Sequence, residues 1–229
     1  MAPEGSADNR VVAAALHKAL DRAFPRPGTR RRAGLVMLSG GLDSVALLVN
    51  LLQETDQQLY AHHIELQNFE NRRRAENEAL EQVLAYCRRH YRPFSYSTSR
   101  VEFPLGRGGG FDLSLVLFTA ARVHTALGCV VDAVYTGHLS PTRNEIVEGS
   151  AVLNACYINK SFKPRWLWPL AHLKKVDVYR AIPRELAAMT WSCRRPVDAG
   201  GTYRPCGRCH TCRSLQKVAR LLEAEAGGR

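Results

Sequence analysis

The chain has 229 residues, 45% of them hydrophobic and 23% charged, enough to bury one α/β core of upper-middle size but not two independent ones. Its net charge of +11 comes from arginine, since only six of the 32 basic residues are lysines; these arginines are scattered, as at Arg72-Arg73-Arg74 and Arg194-Arg195, without the interleaved aromatics of a nucleic-acid platform. No apolar run reaches the ~18 residues of a membrane span, and the N-terminus lacks a basic-then-apolar export layout, so the cytoplasm is the expected location and neither membrane nor nucleic acid the expected partner.

Helical spacing of Val11, Val12, Ala15, Leu16, Leu20 and Phe24 predicts a helix over residues 10–24, stopped by Pro25, Pro27 and Gly28. A basic linker with Arg30-Arg31-Arg32 follows. Leu35-Val36-Met37-Leu38 reads as a buried strand and residues 45–52 as the helix after it. Residues 59–66 form a second strand, residues 71–90 a long charged helix with Leu80, Val83, Leu84 and Cys87 on one face, and residues 94–98 a third strand. The glycine-rich run 103–110 has no strand directly before it, which favours a surface loop over a second phosphate loop. Residues 113–127 read as a buried helix and 130–136 as a buried strand, with further helices over 144–157 and 174–189, the latter interrupted near Pro183. Strands alternate with helices, so the expected fold class is α/β, a doubly wound parallel sheet covered on both faces. The expected organisation is an N-terminal helix and linker (1–32), a nucleotide-binding domain (33–190), and a C-terminal cysteine segment with a final helix (191–229).

Between the first strand and its helix lies Ser39-Gly40-Gly41-Leu42-Asp43-Ser44. Glycines let the backbone bend and bring successive N–H groups toward an anion, and the following helix adds its positive end. Ser39 and Ser44 supply hydroxyls for phosphate oxygens, and Asp43 a carboxylate for a divalent cation, Mg2+ in a nucleotide site. No lysine follows the second glycine, so this is not the G-x-x-x-x-G-K-S/T loop of kinases and GTPases. Nucleotides in such sheets bind at the carboxyl ends of strands. That rule puts the end of the second strand near Ile64, whose backbone would sandwich adenine, and Thr136-Gly137-His138 beside the loop. His62 and His63 are expected to be satisfied structural histidines.

Near the C-terminus, Cys206-Gly207-Arg208-Cys209-His210-Thr211-Cys212 makes two C-x-x-C steps sharing Cys209, and Cys193 lies upstream across a Gly-Gly hairpin. Four sulfurs close a tetrahedral Zn2+ shell with no open position, which is the structural type of site. An iron–sulfur cluster and a redox dithiol are the competing readings. Cys87, Cys129 and Cys156 sit in apolar surroundings and are expected in the core.

The S-G-G-x-D-S loop resembles that of the N-type ATP pyrophosphatases (PP-loop superfamily), which cleave ATP between its α and β phosphates and adenylate a substrate. Together with Trp191-Ser192-Cys193, the Cys-Gly-x-Cys-x-x-Cys tail and Pro169-Leu170-Ala171-His172-Leu173-Lys174-Lys175-Val176-Asp177, it is similar to the 7-cyano-7-deazaguanine (preQ0) synthase family over residues 33–215. The resemblance implies an adenine nucleotide alpha hydrolase-like fold with a small C-terminal zinc-binding segment. It implies ATP, Mg2+ and Zn2+ as cofactors and a cofactor-binding set of Leu38, Ser39, Gly40, Gly41, Leu42, Asp43, Ser44, Ile64 and Gly137. Ser39, Asp43, Ser44 and Lys175 would be catalytic, with Lys175 meeting phosphate, and Cys193, Cys206, Cys209 and Cys212 would hold the metal.

The implied activity is adenylation of the carboxylate of 7-carboxy-7-deazaguanine, then attack of an amine to give amide and, after a second activation, nitrile. No dedicated side-chain nucleophile is required. The chain departs from the family at Gly137-His138-Leu139-Ser140-Pro141-Thr142-Arg143-Asn144-Glu145 and at Gly108-Gly109-Gly110-Phe111-Asp112, where base-pocket segments are usual. Asn68, Arg143 and Glu145 offer donors and acceptors for the base edge. The alternatives are transfer of the acyl group to a protein amine in anti-phage defence, a PP-loop tRNA-modifying enzyme, and a nucleotide-sensing zinc interaction module. A homodimer follows from family likeness alone.

Overall fold

The computed structural model describes residues 9–24, 33–103, 112–157 and 163–227. The stop at Pro25, Pro27 and Gly28, the linker arginines Arg30 to Arg32 and the glycine-rich run 104–111 lie outside these residues. In chain order the elements are α1 (Asn9–Ala23), β1 (Ala33–Met37), α2 (Leu42–Glu54), β2 (Gln58–Gln67), α3 (Arg73–His90), β3 (Ser95–Glu102), α4 (Asp112–Ala126), β4 (Ala133–Thr136), α5 (Arg143–Ala155), β5 (Arg165–Leu167), α6 (Lys175–Arg180), α7 (Arg184–Met189), β6 (Val197–Asp198), β7 (Tyr203–Arg204) and α8 (His210–Gly227). Strands β1 to β5 form one parallel sheet ordered β3-β2-β1-β4-β5, and β6 and β7 a separate antiparallel pair.

Strand alternation sorts β1 between two cores. Val36 and Leu38 pack with α2 and its neighbours Leu80, Val83, Ile182 and Leu186 on one face. Leu35 and Met37 face Ala120 of α4 and Val134 of β4 on the other. Helices thus cover both faces, as the alternating pattern requires, and the doubly wound α/β class is the one observed. β1 is buried throughout and α2 on nearly every residue, which is why both read as unbroken apolar runs. The helix α4 departs from expectation: Leu113, Leu117 and Ala120 are buried, but Phe118 is 52% exposed, so only one face packs. Cys87 is a core residue, whereas Cys129 and Cys156 are only half-buried. Among the described residues no helix is long and apolar enough to cross a membrane.

The parallel order reverses between β1 and β4, since β2 and β3 step outward on one side and β5 on the other. A crevice opens at such a switch point because successive connections leave on opposite faces. The glycine loop after β1 and the turn after β4 both open into it.

Candidate active site

Gly40 adopts φ +75°, a left-handed conformation that side chains resist, and it turns toward α3, where a Cβ would meet Leu80 Cβ at 3.3 Å. Gly41 has an ordinary φ of −80° and is the N-cap of α2, with no capping side chain. Its smallness serves proximity instead: a Cβ there would lie 3.3 Å from both Ser39 Oγ and the Trp191 carbonyl. Hydroxyls crowd the loop amides. Ser39 N–H donates to Ser44 Oγ (3.1 Å), Gly41 N–H to Ser39 Oγ (3.3 Å) and Leu42 N–H to Ser192 Oγ (3.4 Å). Oxygen acceptors at uncapped helix N–H groups are the arrangement a phosphate would meet.

Asp43 and Lys175, predicted separately as a cation ligand and a phosphate contact, meet at the mouth of the loop. Lys175 Nζ donates to Asp43 Oδ1 at 2.7 Å and Oδ2 at 2.6 Å, with both side chains partly open to the cavity. The pair neutralises itself here, and each partner would exchange it for a bound group, the ammonium for phosphate oxygen and the carboxylate for a cation. Gly137 closes the other side: a Cβ would fall 2.8 Å from Ser44 N and 2.9 Å from Asp43 C, so β4 can touch the first turn of α2 only through glycine.

These elements enclose a cavity of about 740 Å3 lined by Leu38, Ser39, Gly41, Leu42, Asp43, Ser44, Ile64, Gly137 and Lys175, so of the predicted cofactor-binding and catalytic residues Gly40 alone is not on its wall. The position of Ile64 has a backbone cause. His62 O accepts from Leu38 N–H at 2.8 Å, and β1 ends its pairing with β2 at Met37↔His62. By the two-residue period, Ile64 turns its N–H and C=O to that same side, beyond the end of β1 and into the crevice. A planar heterocycle with a donor and an acceptor on one edge fits such a segment.

His62 and His63 are structural, as expected. His62 pairs with the hydroxyls of Ser97 and Ser99, each at 2.9 Å, and burial, with the neighbouring His63 adding, pushes its pKa down to about 4. His63 donates from Nδ1 to the Leu38 carbonyl (2.9 Å) and meets the Asn77 amide with Nε2 (3.1 Å), tying the loop's first residue to β2. His138 differs: its Nδ1 is buried with no hydrogen-bond partner among the described residues, and the residue lines the cavity. Burial lowers its pKa against the opposing pull of Glu145 and Asp43, which leaves a neutral ring with an unused nitrogen. Of the residues suggested for the base edge, Glu145 lines the cavity but also forms the Thr142 capping box, and Asn68 accepts from Glu70 N–H. Neither Asn68 nor Arg143 is on the wall.

The C-terminal segment contributes a wall that the sequence did not reveal. Trp191 N–H donates to Gly40 O at 3.0 Å. Arg194 Nε reaches Glu70 at 2.7 Å, and Arg72 bridges Glu70 (3.1 Å) and Glu76 (3.3 Å), forming a half-buried charged network beside the cavity. The adjacency of Trp191 and Ser192 to Cys193 was the available signal.

The four sulfurs of Cys193, Cys206, Cys209 and Cys212 lie within 4.8 Å of one another, and Cys206 and Cys212 are 4.0 Å apart. Zn–S bonds of ~2.3 Å in a tetrahedron set sulfurs about 3.8 Å apart, so the geometry fits a single ion. A four-iron cluster seats each thiolate on a different iron and needs a wider spread. Backbone N–H groups point at the sulfurs, Cys206 N and Arg195 N at Cys193, Cys209 N at Cys206, and Cys212 N at Cys209. Burial works against the Cys209 thiolate, but the Thr211 hydroxyl and the Cys212 and Arg194 amides hold its pKa at about 5, whereas burial pushes Cys212 to about 12. Four thiolates so close require a cation to be ionised together.

No family model matches the chain, and no curated protein is similar to it in sequence. Among solved structures, it is similar to the U34-tRNA thiolase NcsA from Methanococcus maripaludis, solved with its 4Fe–4S cluster, at 12% identity and a TM-score of 0.57, over 97% of this chain and 74% of that one. Partial overlaps occur with the NMN synthetase from Francisella tularensis (11% identity, TM-score 0.46, 78% and 73% covered) and the NH3-dependent NAD synthetase from Campylobacter jejuni (15% identity, TM-score 0.39, 79% and 71% covered). The likeness to the thiolase is one of fold alone.

Proposed function

We propose that this protein activates a carboxylate with ATP, forming an acyl-adenylate and pyrophosphate, and then passes the acyl group to an amine. The observation that carries the reading is the Asp43–Lys175 pair set over an amide-lined, uncapped helix start at the switch point. An S-G-G-x-D-S loop in that setting is built to hold a polyphosphate. The chemistry also explains the need: a carboxylate resists an amine because oxide would have to leave, whereas an acyl-adenylate releases AMP.

In the first step a substrate carboxylate oxygen attacks the α phosphorus, and the bond to the β-phosphate oxygen breaks. The loop amides and Lys175 bind the departing pyrophosphate, and Ser39 and Ser44 donate hydroxyl hydrogens to its oxygens. Magnesium on the phosphates, when bound, neutralises their charge, and Asp43 is the carboxylate offered to it. Adenine lies against β2, read by Ile64 N–H and C=O. In the second step an amine adds to the acyl carbon, AMP leaves, and the nitrogen loses a proton. The neutral ring of His138, on the wall of the same cavity, is the acceptor we assign to that proton.

The proposed substrate is 7-carboxy-7-deazaguanine, a reading that rests on the Trp-Ser-Cys and Cys-Gly-x-Cys-x-x-Cys tail with the Pro169–Asp177 segment. Ammonia as acceptor gives the amide, a second ATP adenylates the amide oxygen so that it leaves with AMP to give the nitrile, and a protein amine gives a conjugate. Thiolation of tRNA is disfavoured because the three cysteines outside the tetrad, Cys87, Cys129 and Cys156, are absent from the cavity wall. The test is release of AMP and pyrophosphate with and without 7-carboxy-7-deazaguanine, followed by mass spectrometry of the products. Dependence on that compound supports the substrate; turnover indifferent to it removes the substrate, and ATP binding without turnover leaves a nucleotide sensor.

A further inference from the structure

Residues 191–194 alternate between two sites. Trp191 N–H bonds the Gly40 carbonyl, Ser192 Oγ accepts from Leu42 N–H at 3.4 Å, Cys193 belongs to the sulfur tetrad, and Arg194 reaches Glu70. The indole of Trp191 also donates from Nε1 to the Cys193 carbonyl at 2.9 Å, so its side chain spans residues 191–193 and brackets Ser192. Ser192 is therefore held on one flank by the phosphate loop and on the other by a metal ligand. Its hydroxyl lies at the first N–H of α2, 3.6 Å from where a Gly41 Cβ would stand, while Ser39 and Ser44, whose hydroxyls are 3.0 Å from each other, accept from the Gly41 and Ser39 amides. Three hydroxyls thus surround the loop amides, and the third comes from a segment 150 residues away in sequence.

We propose that Ser192 is a phosphate-binding residue of the nucleotide site and that the Cys193–Cys206–Cys209–Cys212 metal site holds it in place, so that nucleotide and metal strengthen one another's binding. The inference rests on the reading of the glycine loop as an ATP site. Its physical basis is that β6 and β7 are two residues each, too short to fix the segment alone. A metal ion that closes residues 193–212 into one unit supplies the missing rigidity and presets the hydroxyl. Coupling between binding equilibria is reciprocal: if metal raises ATP affinity by some factor, ATP raises metal affinity by the same factor.

Two measurements on the zinc-loaded full chain test this. The first is Mg-ATP affinity by calorimetry in wild type and Ser192→Ala at equal zinc content, where removal of one hydrogen bond to a charged group should weaken binding roughly ten-fold. The second needs no variant: zinc release to a chromogenic chelator, in equilibrium competition, should require several-fold more chelator when ATP is saturating. In Ser192→Ala that protection should be largely lost. Wild-type ATP affinity in the zinc-bound variant, or a chelator titration indifferent to ATP, overturns the proposal while leaving the loop reading standing. Failure of wild-type protein to bind ATP at all overturns both.

Discussion

Replacing Gly137 by alanine should loosen the fold and the nucleotide site together. A Cβ at this position falls 2.8 Å from Ser44 N and 2.9 Å from both Asp43 C and Ser44 Cα. Comfortable carbon contacts lie at about 3.5–4.0 Å, so the overlap is about 0.6 Å or more, and it is with backbone that cannot rotate away. The first turn of α2 cannot retreat either, because Leu42 is 1% exposed and Val45 N–H is bonded to Gly41 O. Overpacking of this kind costs about 1–3 kcal/mol, and for a chain of this size each kcal/mol lowers Tm by about 2–4 °C. Thermal unfolding should therefore fall by roughly 2–12 °C, and Mg-ATP affinity by at least about ten-fold, since Asp43 and Ser44 are the residues displaced. Gly128→Ala is the control: its φ of +67° carries a left-handed penalty of about 1–2 kcal/mol, but nothing lies within 4 Å of its Cβ, so it should lower Tm without touching affinity. Wild-type ATP affinity in Gly137→Ala would refute the contact between β4 and the phosphate loop.

Asp43→Ala should abolish pyrophosphate release while Tm stays within a few degrees, because the carboxylate is partly exposed and its partner Lys175 can reach water; surviving turnover would remove Asp43 from the cation site. Cys209→Ser should lower bound zinc to well below one per chain, measured by elemental analysis, and lower Tm; a metal-free variant of unchanged stability would exclude a structural ion. His62 binds a proton near pH 6.5 when unfolded but only near 4 when folded, so between these values the unfolded chain holds more protons and stability falls on acidification, by up to ~3 kcal/mol. His62→Gln should flatten that part of the pH dependence in thermal scans; an equally steep loss would assign it to other groups.

Much of the fold was readable because its central elements are buried on both sides. The strand β1 and helix α2 are apolar throughout, and α1, α3 and α4 show helical spacing. What was missed is what does not bury a face. The strand β3 runs through Ser95–Glu102, three residues or more past its expected end, because an edge strand of alternating polar residues carries no apolar period. The strand β5 is three residues long, Arg165–Leu167, below any periodic signal. The loop itself was legible, since its chemistry is contiguous in sequence. Of its partners, Lys175 was reached only through the family resemblance and Ser192 was not reached: Asp43 meets Lys175 across 132 residues and Leu42 meets Ser192 across 150, and no local pattern encodes such distances.

The division expected at residue 190 marks a change in local structure, but the contacts cross it. Helix α8 packs against α6, which begins with Lys175, and its first turn brings Thr211 to Cys209 Sγ at 3.1 Å and His210, Thr211 and Ser214 to the cavity wall. The cysteine segment thus forms one wall of the cavity. A segment of this length, with a two-residue ladder and exposed Val197, has too little apolar surface to order itself by burial. Four thiolates around one ion would supply that order instead, next to the residues that touch Gly40 and Leu42. A closed metal shell would suit this task, because an ion with no open position would take no part in chemistry at the neighbouring loop yet would fix the backbone that frames it.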